Sequence, residues 1–242
     1  MTVITKVPSN TTILWLIFFS IAMGYMESAV VIYLRKIYYP GGFQFPLVPL
    51  DANTGMVEVF RETATIIMLV GIGILAAHTA SLRFAFFLLC FAIWDLFYYI
   101  FLWVFLGWPE SLLTWDILFL IPVPWVGPVL SPCIIALTML LLSSGIIYFQ
   151  RREISTRIIG KEWFFLVTGS LVVILSFVWD YLHYTSFTAS RHNSMLTDQE
   201  HILIELKEYV PSDFNWELFL TGELLLLTGI ILFFIRLNKI RN

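Results

Sequence analysis

Glu58, Arg61, Glu62 and Thr65 follow the spacing i, i+3, i+4, i+7, which on a helix gathers two carboxylates, a guanidinium and a hydroxyl into one stripe. The same logic puts Asp95 with Tyr98 and Tyr99, Ser176 with Asp180, His183 and Tyr184, and Glu27 with Gly24 and Arg35. Glu223 falls on a different helical face from Glu217, so at most one of those two points inward. Groups of these types do a limited range of chemistry. Asp180 and His183 are the candidates for acid and base catalysis. Glu27, Glu58 and Asp95 are suited to ligating a cation or carrying protons, with Arg61, Glu62, Tyr98 and Tyr99 completing a substrate- or cation-binding wall.

Charge balance sharpens the expectation. Glu27, Glu58, Glu62, Asp95, Asp180 and Glu223 share one zone with Arg61, helped by Arg35, Lys36 and a protonated His183. All six carboxylates cannot be ionised and unpaired there: either protons are retained or a cation binds. A divalent cation is therefore the one cofactor the residues suggest. Acids with one or two histidines suit Mg, Mn or Ca at least as well as Zn. The competing reading is a set of buried ion pairs, Glu58 or Glu27 with Arg61 or Arg35, that fixes helix packing and does nothing else. No Walker loop, nucleophile elbow, HExxH or CxxC is present.

The elements that must carry these stripes are membrane helices. The chain has 242 residues, 59% of them hydrophobic and 13% charged, against roughly 45 to 50% apolar and about 25% charged for a soluble domain. Its mean hydropathy is +0.86. Apolar stretches long enough to cross the hydrocarbon core fall at about 12 to 36, 56 to 77, 84 to 106, 126 to 149, 163 to 182 and 216 to 235. They lack the alternation of barrel strands, so the fold is expected to be all-α, a single six-helix transmembrane domain over residues 1 to 242. The first span contains Glu27 and is read as a retained helix rather than a signal peptide. Between the last two spans, TDQEHILIELKEYV has a capping box at Thr197 and Glu200 and an apolar face of Ile202, Leu203, Leu206 and Val210, which predicts a short amphipathic surface helix.

Charge orients the bundle. With both termini in the cytoplasm, the inner side carries nine Lys and Arg against two acids, while the outer side carries five against fifteen. Every Asp, Glu, Lys and Arg within a span then lies in the outer half, where an isolated charge at a lipid-facing helix centre costs roughly 2.5 to 3.5 kcal/mol. Such groups should face one another or water. Cys90 and Cys133 fall at opposite depths, which argues against a bridge. The connections at about 37 to 55 and 107 to 125 are rich in Pro, Gly and aromatics, as expected of segments folded into or back through the headgroup layer. Trp103, Trp108, Trp115, Trp125 and Trp216 sit where an interfacial belt belongs.

GYMESAVVIYLRKIYYPGGFQFPL from Gly24, VEVFRETATIIML from Val57, and the long stretch from Trp94 to Pro132 resemble a group of uncharacterised bacterial multi-pass membrane proteins. That resemblance implies a bacterial inner membrane and brings no activity with it. Glu27-Ser28, Asp95, and Asp180 with His183 are also similar to positions in membrane hydrolases of the alkaline ceramidase and adiponectin-receptor type, which use a zinc held by three histidines with Asp and Ser. This chain has four histidines, of which His78 falls at the inner face and His192 and His201 in an outer segment, so a three-His site would need that segment to fold back.

Three functions are compatible with this pattern. The leading one is a binding, assembly or anchoring subunit whose outer side meets a partner membrane protein or a lipid ligand. The first alternative is a membrane-embedded enzyme, with or without a metal, acting on a lipid or lipid-linked substrate. The second is a transporter, which the empty inner halves disfavour because no polar route continues through them. Nothing in the composition suggests nucleic acid; Arg151 and Arg152 read as topology signals.

Overall fold

The computed structural model describes residues 7–121, 123–189 and 208–241. It contains six helices, α1 (Asn10–Tyr38), α2 (Ala52–Ala76), α3 (Ala80–Leu106), α4 (Leu130–Arg151), α5 (Gly160–Ala189) and α6 (Trp216–Arg241), together with a small hairpin of β1 (Trp115–Phe119) and β2 (Trp125–Pro128). All six are long and apolar enough to cross a bilayer. The protein is thus a helical multi-pass membrane protein. The expected surface helix lies almost entirely outside the described residues, as do His192 and His201.

Local chemistry sets the helix ends. Ser9 caps α1 by accepting from Thr12 N–H at 3.2 Å, and Thr79 caps α3 in the same way. Asp51 caps α2, accepting from the N–H groups of Asn53 and Thr54, the Thr54 hydroxyl at 2.6 Å and the Tyr38 phenol at 2.9 Å. Those donors, led by the Thr54 hydroxyl, hold the Asp51 carboxyl down at about 2. The cap therefore stays charged below the usual carboxylate range and is lost only in strong acid. Gly107 ends α3 at φ 65°, a left-handed conformation that glycine adopts without steric cost.

Packing runs from α1 and α2 onto α3, from α3 onto α4, from α4 onto α6 and from α6 onto α5. The α5 and α6 backbones approach closely through Gly169 and Gly222: a Cβ at Gly222 would stand 2.8 Å from Val173 N, and one at Gly169 2.8 Å from the Gly222 carbonyl. By contrast, α2 has α3 as its one substantial helical neighbour, and much of its surface is bare, with Phe60 66% and Leu75 83% exposed. In a bilayer those side chains face acyl chains.

The hairpin departs from the expected boundaries. Residues 126–128, assigned from hydropathy to the fourth span, are strand, and α4 begins only at Leu130. Pro124, Gly127 and Pro128 explain it, since proline cannot join a helix interior whereas Pro132 is tolerated in the first turn of α4. The strands pair antiparallel with Asp116 opposite Gly127 and Ile117 opposite Val126, and a register shift falls between Ile117 and Phe119. Three elements hold the hairpin. Asp116 pairs with Arg35 of α1, Leu120 N–H donates to Glu62 of α2 at 3.0 Å, and Gly127 lies against Phe177 of α5.

Candidate functional site

Beneath the hairpin lies a cavity of about 760 Å³, within the range of small-molecule sites. Helix α2 contributes Glu58, Arg61, Glu62, Thr65 and Ile66; α3 contributes Phe91, Trp94, Asp95, Tyr98 and Tyr99; and α1 contributes Glu27 and Arg35. Ile135 and Met139 of α4, and Ser170, Val173 and Ile174 of α5, form the opposite wall, with Ile117, Phe119 and Trp125 of the hairpin above. Most of this lining is apolar. The polar groups are concentrated on the walls of α1, α2, α3 and β1.

The stripes read from the sequence on α2 and α3 therefore converge on one space, and helical periodicity is the cause. Arg61 joins the two acids nearest it: its guanidinium donates to Glu58 at 2.8 Å and pairs in a short contact with Glu27. Glu62 has no cation of its own and accepts from Leu120 N–H instead. Asp95 lines the cavity and forms no hydrogen bond among the described residues.

Arg35 and Asp116 make a second centre, with Arg35 Nη2 3.0 Å from Asp116 Oδ1 and the pair almost fully buried. Trp108 stacks on the guanidinium at 3.6 Å and Phe43 lies 4.5 Å from it. The Tyr99 phenol is a close neighbour of the same carboxylate. Burial pushes the Asp116 carboxyl up to about 6, against the pull of Arg35, so the pair remains charged at neutral pH and loosens as the pH falls through that value. Among the described residues Asp116 Oδ2, Arg35 Nη1 and the indole nitrogens of Trp94 and Trp125 have no hydrogen-bond partner, although all four residues line the cavity. Asp116 was missed in the sequence. Its signal was an acid inside an apolar, proline-rich run, the Trp-Asp dipeptide at 115 and 116.

The other expected site residues are elsewhere. Asp180 accepts from the Tyr209 phenol at 2.6 Å and from Ser212 at 3.1 Å, and His183 is solvent- or lipid-exposed on α5; neither lines the cavity. Burial and the Asp180 carboxylate raise the Tyr209 phenol well above its ordinary value, which keeps that proton in place as a structural bond. Glu223 is buried between α4 and α6, taking a short hydrogen bond from Thr138, while Glu217 is exposed, in keeping with their different faces. At the opposite end of the bundle Arg236 closes on Glu162 at 2.7 Å and on the Arg157 carbonyl. Both cysteines are free thiols, Cys90 buried on α3.

Among the described residues no three His, Cys, Asp or Glu side chains are grouped to hold a metal ion. Comparison with family models, with curated proteins and with solved structures finds no match. The chemistry of the cavity rests on its geometry.

Proposed function

We propose that the protein binds a membrane-borne amphiphile, a lipid or lipid-linked molecule, in the cavity beneath the hairpin. The observation that carries this is lateral access. Helices α2 and α5 both line the cavity yet share no substantial interface, and Ser170 on α5 and Val59 on α2 line it while remaining exposed. Ser170 lies ten residues into α5, about 15 Å from its start and so near the middle of the span. An apolar chain can leave the bilayer between α2 and α5 and lie on Ile66, Ile135, Met139 and Ile174, with its polar end toward α1, α3 and β1. A water-soluble ligand would gain little from such a wall.

Binding, rather than catalysis, is the role favoured by the state of the acids. Among the described residues Glu27 and Glu58 are engaged by Arg61, one oxygen of Asp116 by Arg35, and Asp180 by Tyr209 and Ser212, so most of the acids are held in fixed pairs, and Asp180 and His183 lie outside the cavity. In preparations purified in a mild nonionic detergent, native mass spectrometry is expected to show one retained amphiphile per chain, and Ile174→Trp, which fills the mouth, to remove it.

The charge pattern supports a bacterial inner-membrane orientation with both termini in the cytoplasm and the hairpin end outside. A C-terminal fusion should then fluoresce as green fluorescent protein and be inactive as alkaline phosphatase; the reverse pattern would invert the assignment.

A further inference from the structure

Counting the described side chains that line the cavity, five are carboxylates (Glu27, Glu58, Glu62, Asp95 and Asp116) and two are cations (Arg35 and Arg61). Arg61 is spent on Glu27 and Glu58, and Arg35 on one oxygen of Asp116. Among the described residues Glu62 has only a backbone N–H, and Asp95 has no hydrogen-bond partner. By distance and angle the second oxygen of Asp116, in a residue only 2% exposed, has no hydrogen bond among the described residues, although the Tyr99 phenol stands close to the same carboxylate.

Neither protonation state repairs this arrangement from within. An ionised Asp95 wants donors, and a protonated one wants an acceptor for its O–H; the described residues supply neither. The metal alternative lacks a grouped ligand set. What surrounds Asp95 and Asp116 is aromatic: Tyr98 and Tyr99 stand on the same face of α3, with Trp94 and Phe91 beside them and Trp125 and Phe119 on the hairpin. Carboxylates with unused lone pairs inside an aromatic wall are a setting for an organic ammonium, which donates hydrogen bonds to the acids and is attracted to the ring faces.

We infer that the polar end of the amphiphile is a protonated amine, seated between Asp95 and the free oxygen of Asp116. This rests on the amphiphile-binding reading and adds to it the charge of the headgroup. An anionic headgroup would meet the excess of carboxylates, while a neutral hydroxyl could donate to Asp95 but would leave the excess negative charge unbalanced.

The test is a binding titration of the full-length protein in nonionic detergent with three probes: n-dodecylamine, n-dodecanol and n-butylamine. The expected result is n-dodecylamine binding about ten-fold or more tighter than n-dodecanol, with n-butylamine far weaker than either long-chain probe. In Asp95→Asn, the preference for amine over alcohol should fall several-fold, with Asp116 still in place. Should that variant fail to fold, the wild-type amine-to-alcohol ratio decides alone. Equal binding of n-dodecylamine and n-dodecanol overturns the amine inference and leaves the amphiphile reading standing. Equal binding of n-butylamine and n-dodecylamine keeps the amine seat but removes the lipid-like tail. Binding of none of the three overturns both.

Discussion

Replacing Arg61 with Met is expected to destabilise the protein by about 3 to 5 kcal/mol, the cost of leaving buried charge without its partner. Glu27 and Glu58 both rely on this guanidinium, and the side chains of all three are at most 20% exposed. Removing it would place two carboxylates side by side between α1 and α2 with no counter-ion, in surroundings that cannot solvate them. The joint is also mechanically important: α2 packs mainly on α3, and Arg61 is its ionic tie to α1. Equilibrium unfolding in mixed micelles measures the loss. The triple change Glu27→Gln, Glu58→Gln and Arg61→Met should recover most of it, since neutralising a whole buried cluster is often nearly free. If Arg61→Met alone unfolds like the wild-type protein, the three groups are hydrated and the cavity is far wetter than described.

Arg35→Met should produce a loss of similar size through a different element. Asp116 is 2% exposed and Arg35 is its ion-pair partner, so the change strands a carboxylate beneath the hairpin and also removes the stack of the guanidinium on Trp108. Thermal unfolding is expected to shift downward on the order of 10 °C. Adding Asp116→Leu to Arg35→Met should return the midpoint most of the way, because the apolar pair no longer asks for solvation. No recovery in the double variant would mean that Arg35 acts through stacking on Phe43 and Trp108 rather than through charge.

How much of this was legible in the residues depended on whether the relevant signal is periodic. On α2, the i, i+3, i+4, i+7 spacing of Glu58, Arg61, Glu62 and Thr65 fixed a face, and a membrane leaves a charged face one direction to turn, inward. The Asp95, Tyr98 and Tyr99 stripe was readable for the same reason. Periodicity names a face but not the neighbour that meets it. Asp180 illustrates the difference: its stripe on α5 is real, yet it meets Tyr209 and Ser212 from the segment before α6 rather than the groups on α2 and α3.

The hairpin was the larger omission. Hydropathy is nearly continuous from Trp125 into α4, so residues 126–128 merged with the following span, and only Pro124, Gly127 and Pro128 marked the break. Losing the strands meant losing Asp116, whose inward direction comes from strand pairing with Gly127 and from Arg35, eighty-one positions earlier in the chain. The tryptophans suffered from the same missing element. Trp103 is exposed as a belt residue should be, whereas Trp108 stacks on Arg35 and Trp125 roofs the cavity. Composition placed them near the membrane surface, but only the hairpin decides which ones turn inside.

Entry of a lipid between α2 and α5, as proposed above, can be checked by counting bound amphiphile with native mass spectrometry. The informative comparison is Ile174→Trp, in the cavity wall, against Leu171→Trp, which is exposed on the outer face of the same helix and does not line the cavity. One retained amphiphile per chain is expected in the wild type and in Leu171→Trp, and none in Ile174→Trp. Equal retention in all three proteins, or loss from Leu171→Trp alone, would locate the amphiphile on the outer surface and rule out entry between α2 and α5.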